Sequence, residues 1–469
     1  MSGADVKNKI LLVTGRLAAP SLLGVANGLG ATEGFRVSVL ELPVSVAALM
    51  TPEWALRQIL SLEKSEAVLS RERPDGIVLP GRVMGDLSAM ENALGTPVSR
   101  GPEDLWDIPE WLGLNLSPGD FDKPDKSDGV GARIIAEITD AWRMSVSATV
   151  KAAEAFRRYG ADYVDLGGSP DEGVPGVTEK IAALKSEGFL VSVDSFHRET
   201  ILKASDAGAD MILSVNSSNM DLLESGRVRC PVVITPDCER DERDYTASLD
   251  GNVAAASRFG ASVIADPILS PPLMGFVRSL CRFYEYRSKN PAVPMLIGAG
   301  NVTELLEADS AGVNALLSVC IQELGIEYVL TTEVAAWARG TVRELREARR
   351  IMSIASGRGT LPKRISSALR ELKGPTAKYD LKGLREMQSR VTDSNWRIFA
   401  AEDAVCAFNG DRFLHGRDIA GIYAEMGITD PRHAFYVGRE LQKAAIALSL
   451  SRNYVQDDDL SWGVFGEPS

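Results

Sequence analysis

The stretch GADYVDLGGSPDEGVPGVTEKIAALKSEGFLVSVDSFHRETILKASDAGADMILSVN, residues 160–216, carries three short apolar runs, Asp162–Leu166, Phe189–Val193 and Asp210–Val215. Between them lie two stretches with apolar residues at three-to-four spacing, Thr178–Glu187 and Glu199–Ala207. That spacing is the period of a helix with one buried face. Gly188 and Gly208 close these stretches, where a left-handed C-terminal cap is wanted. Near-continuous apolar runs suit strands buried on both sides, as in a parallel sheet. The phrase therefore reads strand, helix, glycine, strand.

The same phrase recurs on both sides. Arg133–Ile138 precedes it, with a helix-like stretch at Ser147–Tyr159 and the closing Gly160. Pro231–Thr235, Ser262–Ala265, Pro294–Ile297 and Ile326–Leu330 follow, with another such stretch at Ala247–Phe259 and its Gly260. Eight strand-then-helix units predict an α/β protein whose centre, residues 132–355, is a (β/α)8 TIM barrel. Chemistry in that fold sits at the carboxyl ends of the strands.

A chain of 469 residues has room for more than a barrel, and three domains are expected. Residues 1–115 read as a flavodoxin-like, doubly wound α/β domain. Its strands are Lys9–Thr14, Phe35–Leu42 and Gly76–Leu79, with helices at Ser21–Leu29 and Thr51–Ser61. The first turn, Gly15-Arg16-Leu17-Ala18, is not a GxGxxG, so a dinucleotide site is not supported. Residues 116–131, rich in Pro, Gly and charge, read as a linker. Residues 356–469 read as a small α+β domain. It opens on a basic helix-like ISSALRELKG and continues with two strands around an Asn409-Gly410 turn. Helices at Ile419–Met426 and His433–Leu450 and an acidic QDDDLSWG segment complete it.

A net charge of −13 argues against nucleic-acid partners, because a phosphate backbone is held by clustered Lys and Arg. No apolar run approaches the roughly 20 residues that span a bilayer, and the start MSGADVKNK lacks a signal-peptide core. No membrane and a cytoplasmic location are expected. A homodimer stays open. Cys230, Cys238, Cys281, Cys320 and Cys406 include no CxxC pair and read as reduced thiols. His197, His415 and His433 are too far apart for a local zinc motif.

At or just after the strand ends stand Asp140, Asp165, Asp194, Asn216, Asp266, Asn301 and Glu333. Such a cluster has two chemistries open to it: oxygen ligation of a hard divalent cation, or acceptance of N–H bonds from a flat, nitrogen-rich ring. The residues alone leave both open. A plainer reading also stands, since Asp and Asn cap helices well, DLGG can simply shape a turn, and a carboxylate such as Glu333 is stabilised at a helix start by the dipole. Gly298-Ala299-Gly300-Asn301 is a weak phosphate cradle, lacking a Lys.

Several phrases resemble dihydropteroate synthases. VDLGGSPDEGVPG, residues 164–176, resembles their second-strand motif, and VSVDSFHRETILKASDAGADMILSVN, residues 191–216, the next two units. ADPIL, residues 265–269, resembles their Asp-Pro-Gly phrase, and Thr139-Asp140 lies where an Asn-Val-Thr loop stands in the family. The likeness covers roughly residues 131 to 340. It implies a pterin held by Asp194, Asn216 and Asp266, with Asn301 on its far side. It also implies Asp140, Asp165 and Asn301 as catalytic candidates. No metal is expected on protein ligands alone; Mg2+ would arrive with a pyrophosphate substrate, beside Asp140. In that chemistry an aryl amine attacks the pterin's methylene carbon while pyrophosphate leaves, which calls for placement and charge stabilisation.

The chain departs from that pattern at two places. The family's Ser-Arg-Lys phrase and its Arg-x-His phrase are replaced by Gly298-Ala299-Gly300-Asn301 and Thr331-Thr332-Glu333. Arg198, Lys203, Arg339 and Arg343 are the nearby cations that would have to substitute. The Gly-x-Gly-Asn phrase is instead similar to pterin-dependent methyltransferases, although no Asp-x-His-x-x-Gly cobalt-ligand phrase is present. Overall the chain looks like the longer synthase-like proteins linked to tetrahydromethanopterin in archaea and methylotrophic bacteria. That likeness implies an acceptor that is an arylamine bearing a ribose phosphate. Methyl transfer from a methylated pterin and a non-catalytic pterin-binding or assembly role are the alternatives.

Overall fold

The computed structural model describes residues 9–31, 34–62, 73–114, 131–169, 172–237, 244–370, 379–401, 404–450, 452–460, 462 and 464. The linker expected at 116–131 lies, but for Gly131, outside the described residues, as does Cys238. The chain divides into two compact units, residues 1–131 with 350–365 and residues 132–349 with 366–469.

In the first unit four parallel strands, β1 (Lys9–Gly15), β2 (Arg36–Leu42), β3 (Gly76–Leu79) and β4 (Val98–Arg100), are ordered β2-β1-β3-β4. Alternation along β1 divides its side chains between two cores. Ile10 and Leu12 pack with Leu22, Val25 and Leu29 on one face, and Leu11 and Val13 with Leu42, Ala55 and Ile59 on the other. Helices thus cover both faces, as a parallel sheet demands. The three-residue β4 was not expected; a run of Val-Ser-Arg has no apolar pattern to read.

The second unit holds the barrel. Its strands are β5 (Arg133–Ile138), β6 (Tyr163–Gly167), β7 (Val191–Asp194), β8 (Met211–Val215), β9 (Val232–Ile234), β10 (Val263–Ala265), β11 (Leu296–Gly298) and β12 (Tyr328–Thr331). All pairs are parallel, in the order β10-β9-β8-β7-β6-β5-β12-β11, and a bridge from Ala265 to Met295 joins the two edges. This is a closed (β/α)8 TIM barrel. Side chains pointing outward, such as Ile134, Val164, Val191, Ile212 and Val232, form one core with the helices. Those pointing inward form another: Ile135, Tyr163, Met211, Leu213, Val233, Ile264 and Leu296, with Tyr328 and Leu330 against them. Each fully buried Leu, Ile or Met side chain stabilises the fold by roughly 1.5–3 kcal/mol.

Gly160, Gly188, Gly208 and Gly260 all take positive φ, as the helix ends require. At Gly160 the φ is +104°, and its N–H reaches the carbonyls of Phe156 and Arg157. A Cβ there would also meet Arg346 at 2.3 Å, so only glycine fits.

The same unit carries an antiparallel sheet, β13 (Arg397–Ala400), β14 (Val405–Phe408) and β15 (Phe413–Gly416), in that order. Three strands stand where two were expected. Phe408 pairs with Phe413, so the hairpin loop is Asn409–Arg412 and not a two-residue turn. Asn409 holds it, its Oδ1 accepting from the N–H groups of Asp411 and Arg412. Helices Ile419–Met426 and Pro431–Ser449 follow. The helix expected from residue 365 is absent over 365–370, which form bends and a turn; the remainder of that stretch lies outside the described residues. Among the described residues no helix is long and apolar enough to cross a membrane.

Candidate active site at the carboxyl end of the barrel

The inward layer changes character toward the carboxyl ends. Two residues beyond Ile135, β5 presents Glu137, and two beyond Tyr163, β6 presents Asp165. Strand register sets Glu137 beside Asp165, Asp165 beside Ser192, and Asp194 beside Gly167. One oxygen each of Glu137, Asp165 and Asp194 lies within 4.8 Å of the other two. Gly167 makes room for this approach, because a Cβ there would stand 2.7 Å from Glu137 Oε1. The glycine pair of DLGG is therefore a requirement of the cluster and more than a turn.

Asp165 is fully buried. Its Oδ1 accepts from Ser192 Oγ at 2.5 Å, and its Oδ2 has no partner among the described residues. Among the described residues no Lys, Arg or His donates to any of the three carboxylates. Burial and then the charges of Asp194 and Glu137 push Asp165 well above the usual carboxylate range. Burial, Asp194 and Glu304 push Glu137 to about 7, and burial pushes Asp194 to about 6. The three groups thus share fewer than three charges near neutral pH unless a cation joins them.

Around this floor the loops are pinned by buried side chains. Asp266, just after β10, is pushed to about 7 by burial; Asp194 adds to that rise, while the Ile268 N–H and Arg282 oppose it. Asp194 is thus near enough for its charge to be felt at Asp266. Asp266 Oδ1 accepts from Ile268 N–H at 2.8 Å, in a loop where Ile268 itself has φ +65°. Buried Arg282 braces that loop, donating to the carbonyls of Pro267 and Ile268. Buried Lys180 does the same on the opposite side, joining the carbonyls of Ala141 and Pro175 at 2.8 and 2.6 Å. Glu304 accepts from Thr332 Oγ1 and from the N–H groups of Val334 and Ala335, tying the loops after β11 and β12 together.

The other expected site residues are placed as follows. Asn216 stands half-buried after β8; its Oδ1 accepts from the N–H and Oγ of Ser218, and buried Asn219 accepts from its N–H. Asn301 is exposed, and its Nδ2 donates to the Leu269 carbonyl at 2.8 Å. Asp140 is exposed on the turn after β5. Glu333 accepts from the Val342 N–H, which makes it a cap for the helix Thr341–Arg358. Asp165 and Asp194 are brought together with Glu137, Asp266 stands at the end of β10 on the same rim, and Asp140 and Asn301 stand in more open positions.

Of the four cations that would replace the missing basic phrases, three are engaged elsewhere. Arg198 pairs with Asp221, Lys203 with Glu199, and Arg343 stacks on Tyr159. Arg339 is exposed on the loop after β12, and Arg143, over the Trp142 ring, adds a second exposed cation after β5. The mouth also carries exposed apolar groups on different loops: Phe196, Leu273, Met274, Leu305 and Val334. Sequence reasoning missed Glu137, Arg282 and Lys180. For Glu137 the signal existed, since it shares the parity of Ile135 within RIIAEI; for the other two it did not.

A model described as a family of unknown function, DUF6513, matches residues 8–103, and one named PterinBD-DUF4346 matches residues 417–457. The uncharacterized protein MJ0107 of Methanocaldococcus jannaschii is 27% identical, over 96% of this chain and 99% of that protein. Among solved structures, a dihydropteroate synthase of Yersinia pestis with a pterine-sulfa conjugate overlaps 49% of this chain and 95% of its own, at 17% identity and a TM-score of 0.40. The 7,8-dihydropteroate synthase of Vibrio fischeri overlaps 48% of this chain and 94% of its own, at 14% identity and a TM-score of 0.39. The barrel itself is established by the strand order and registers.

Proposed function

We propose that the barrel mouth binds a pterin, and that the protein joins a dihydropterin methyl pyrophosphate to a ribofuranosylaminobenzene phosphate in tetrahydromethanopterin biosynthesis. The observation that carries the reading is that Asp194 and Asp266 stand at the carboxyl ends of β7 and β10 of one barrel, near enough for the Asp194 charge to be felt at Asp266, with Asn216 after the intervening β8. A pteridine edge offers a 2-amino group and an N3–H; Asp266 accepts both in a charge-assisted pair, and Asp194 and Asn216 complete the edge. Arg282 fixes the backbone that carries Asp266. The exposed apolar groups of the mouth suit an aryl ring.

In this reading the acceptor's amine nitrogen forms a bond to the pterin's methylene carbon, the carbon–oxygen bond to pyrophosphate breaks, and the amine gives up a proton. Carboxyls poised near neutrality by burial suit uptake of that proton. Magnesium carried by pyrophosphate supplies charge neutralisation on the leaving group. Asp140, exposed and apart from the other carboxylates, fits as a contact to a substrate-borne ion and not as the base of a protein-held one. Arg339 and Arg143 are the exposed cations placed to meet phosphate.

Two measurements test this. Calorimetric titration with a reduced pterin should give saturable binding that Asp266→Asn weakens at least tenfold with the fold unchanged by circular dichroism; equal affinity would sink the ring placement. Incubation with dihydropterin methyl pyrophosphate, magnesium and the ribosylated arylamine should release pyrophosphate. Binding without release would leave a carrier, and loss of the methyl group from a methylated pterin to an added corrinoid, with no pyrophosphate released in the first assay, would mean methyl transfer.

A further inference from the structure

We propose that Glu137, Asp165 and Asp194 form a site for one hard divalent cation, held by the protein itself on the floor of the barrel mouth. Three adjacent strands, β5, β6 and β7, each deliver one carboxylate to the same point, and one oxygen from each lies within 4.8 Å of the other two. An ion with metal–oxygen distances of about 2.0–2.6 Å sets its ligand atoms no more than about 4–5 Å apart. The spacing therefore matches a common ion. All the donors are carboxylate oxygens, which suits Mg2+, Mn2+ or Ca2+ rather than zinc with its nitrogen and sulfur preference.

A second observation is independent of the clustering. Asp165 is fully buried, and although Ser192 satisfies its Oδ1, its Oδ2 meets no donor among the described residues. A buried carboxylate oxygen left bare is costly, by more than a neutral polar atom would be. Usually such a group is answered by a Lys or Arg. Here the buried cations of the mouth, Lys180 and Arg282, spend their donors on backbone carbonyls. Glu137 and Asp194 are half-buried, so the cluster is accessible in part to water. The raised affinity of these carboxyls for protons has the same cause, crowding of negative charge, and a divalent ion would displace the protons.

The site is separate from the pterin reading except at Asp194, so the test uses the two ligands that ring recognition does not need. Chelator-treated full-length protein is titrated with Mn2+ at pH 7.5, free ion being read by electron paramagnetic resonance and heat by calorimetry in two buffers of different ionisation enthalpy. One saturable ion per chain is expected, with protons released on binding, and with Mg2+ competing. Glu137→Gln and Asp165→Asn should each weaken Mn2+ at least tenfold, whereas Asp140→Asn, at the exposed mouth carboxylate, should not. Should Asp165→Asn fail to fold, Glu137→Gln decides alone. The proposal is overturned by an absence of saturable binding, by unchanged affinity in Glu137→Gln, or by an equal loss in Asp140→Asn. Pterin titration of Glu137→Gln separates the two readings: lost Mn2+ with retained pterin binding supports this site on its own terms.

Discussion

The two ends of the barrel interior are built from the same strands and yet obey opposite rules. At the amino end, Arg133 Nη1 donates to the Tyr163 hydroxyl at 3.2 Å, and the Tyr163 and Tyr328 rings meet edge to face at 6.2 Å. Polar groups there are answered and apolar ones packed. One step up each strand, about 7 Å away, Glu137 and Asp165 are crowded together with Asp194 and have one hydrogen bond among them. The lower layer makes the barrel stable, and the upper layer draws on that stability to keep three carboxyls where water alone would never gather them. Three crowded carboxylates around a buried Asp165 are a poor structural element, and their position at the end where TIM barrels do chemistry supports the proposed site.

If that division holds, truncating the lower layer and neutralising the upper one must have opposite consequences. Met211, buried in the interior core beside Ser192, is the sharpest probe of the first. Met211→Ala should lower unfolding free energy by about 2–5 kcal/mol in urea titrations, while pterin and Mn2+ affinities at the mouth stay within twofold. A mutant that kept its stability but lost ligand would mean that the lower layer positions the mouth directly, and the comparison would break.

The upper layer yields a smaller effect with a distinct pH signature. Glu137 and Asp194 hold their protons more tightly folded, at about 7 and about 6, than unfolded, near the ordinary carboxylate values. Their contribution is thus fully present below about pH 4 and is lost as pH climbs through 6 and 7. Unfolding free energy in metal-free buffer should fall by roughly 1–3 kcal/mol between pH 5 and pH 8, and Glu137→Gln should flatten the decline. Saturating Mn2+ should flatten it too. A rise in stability over that interval would show that the cluster gains a partner not described here.

What could be read from the chain before the fold was known follows the same divide. Each barrel strand lies within two residues of its expected position, because continuous apolar runs between glycine-closed helices admit few other readings. β4 and β13 escaped because one is three residues long and the other reads as one strand with β14, its only turn former before the hairpin being Asp403. Among the candidate residues, Asp194 and Asp266 are conspicuous as polar residues ending apolar runs, and Asp165 through the DLGG phrase. Glu137 sits inside its run, so only strand parity reveals that it points inward. Lys180 and Arg282 occupy helices whose charged residues ordinarily face water; that their ends reach backbone carbonyls of distant loops is decided by tertiary packing, which no local pattern encodes.

The smallest effect tests whether the two ends are electrically independent. Tyr163→Phe removes the hydroxyl that accepts from Arg133 but keeps the ring against Tyr328, and Arg133 is exposed enough for water to replace the lost acceptor. The expected cost is therefore about 0.5–1 kcal/mol, that of an ordinary hydrogen bond and below the roughly 1.5–3 kcal/mol of a bond to a charged group shielded from water. Arg133 stays charged between pH 5 and pH 8, its Tyr163 contact raising it further, so the variant's stability curve should run parallel to that of the parent throughout that interval. If Tyr163→Phe instead steepened the fall with pH, the Arg133 charge would be reaching the carboxylates through the barrel's apolar middle, and the layers would have to be treated as one coupled network.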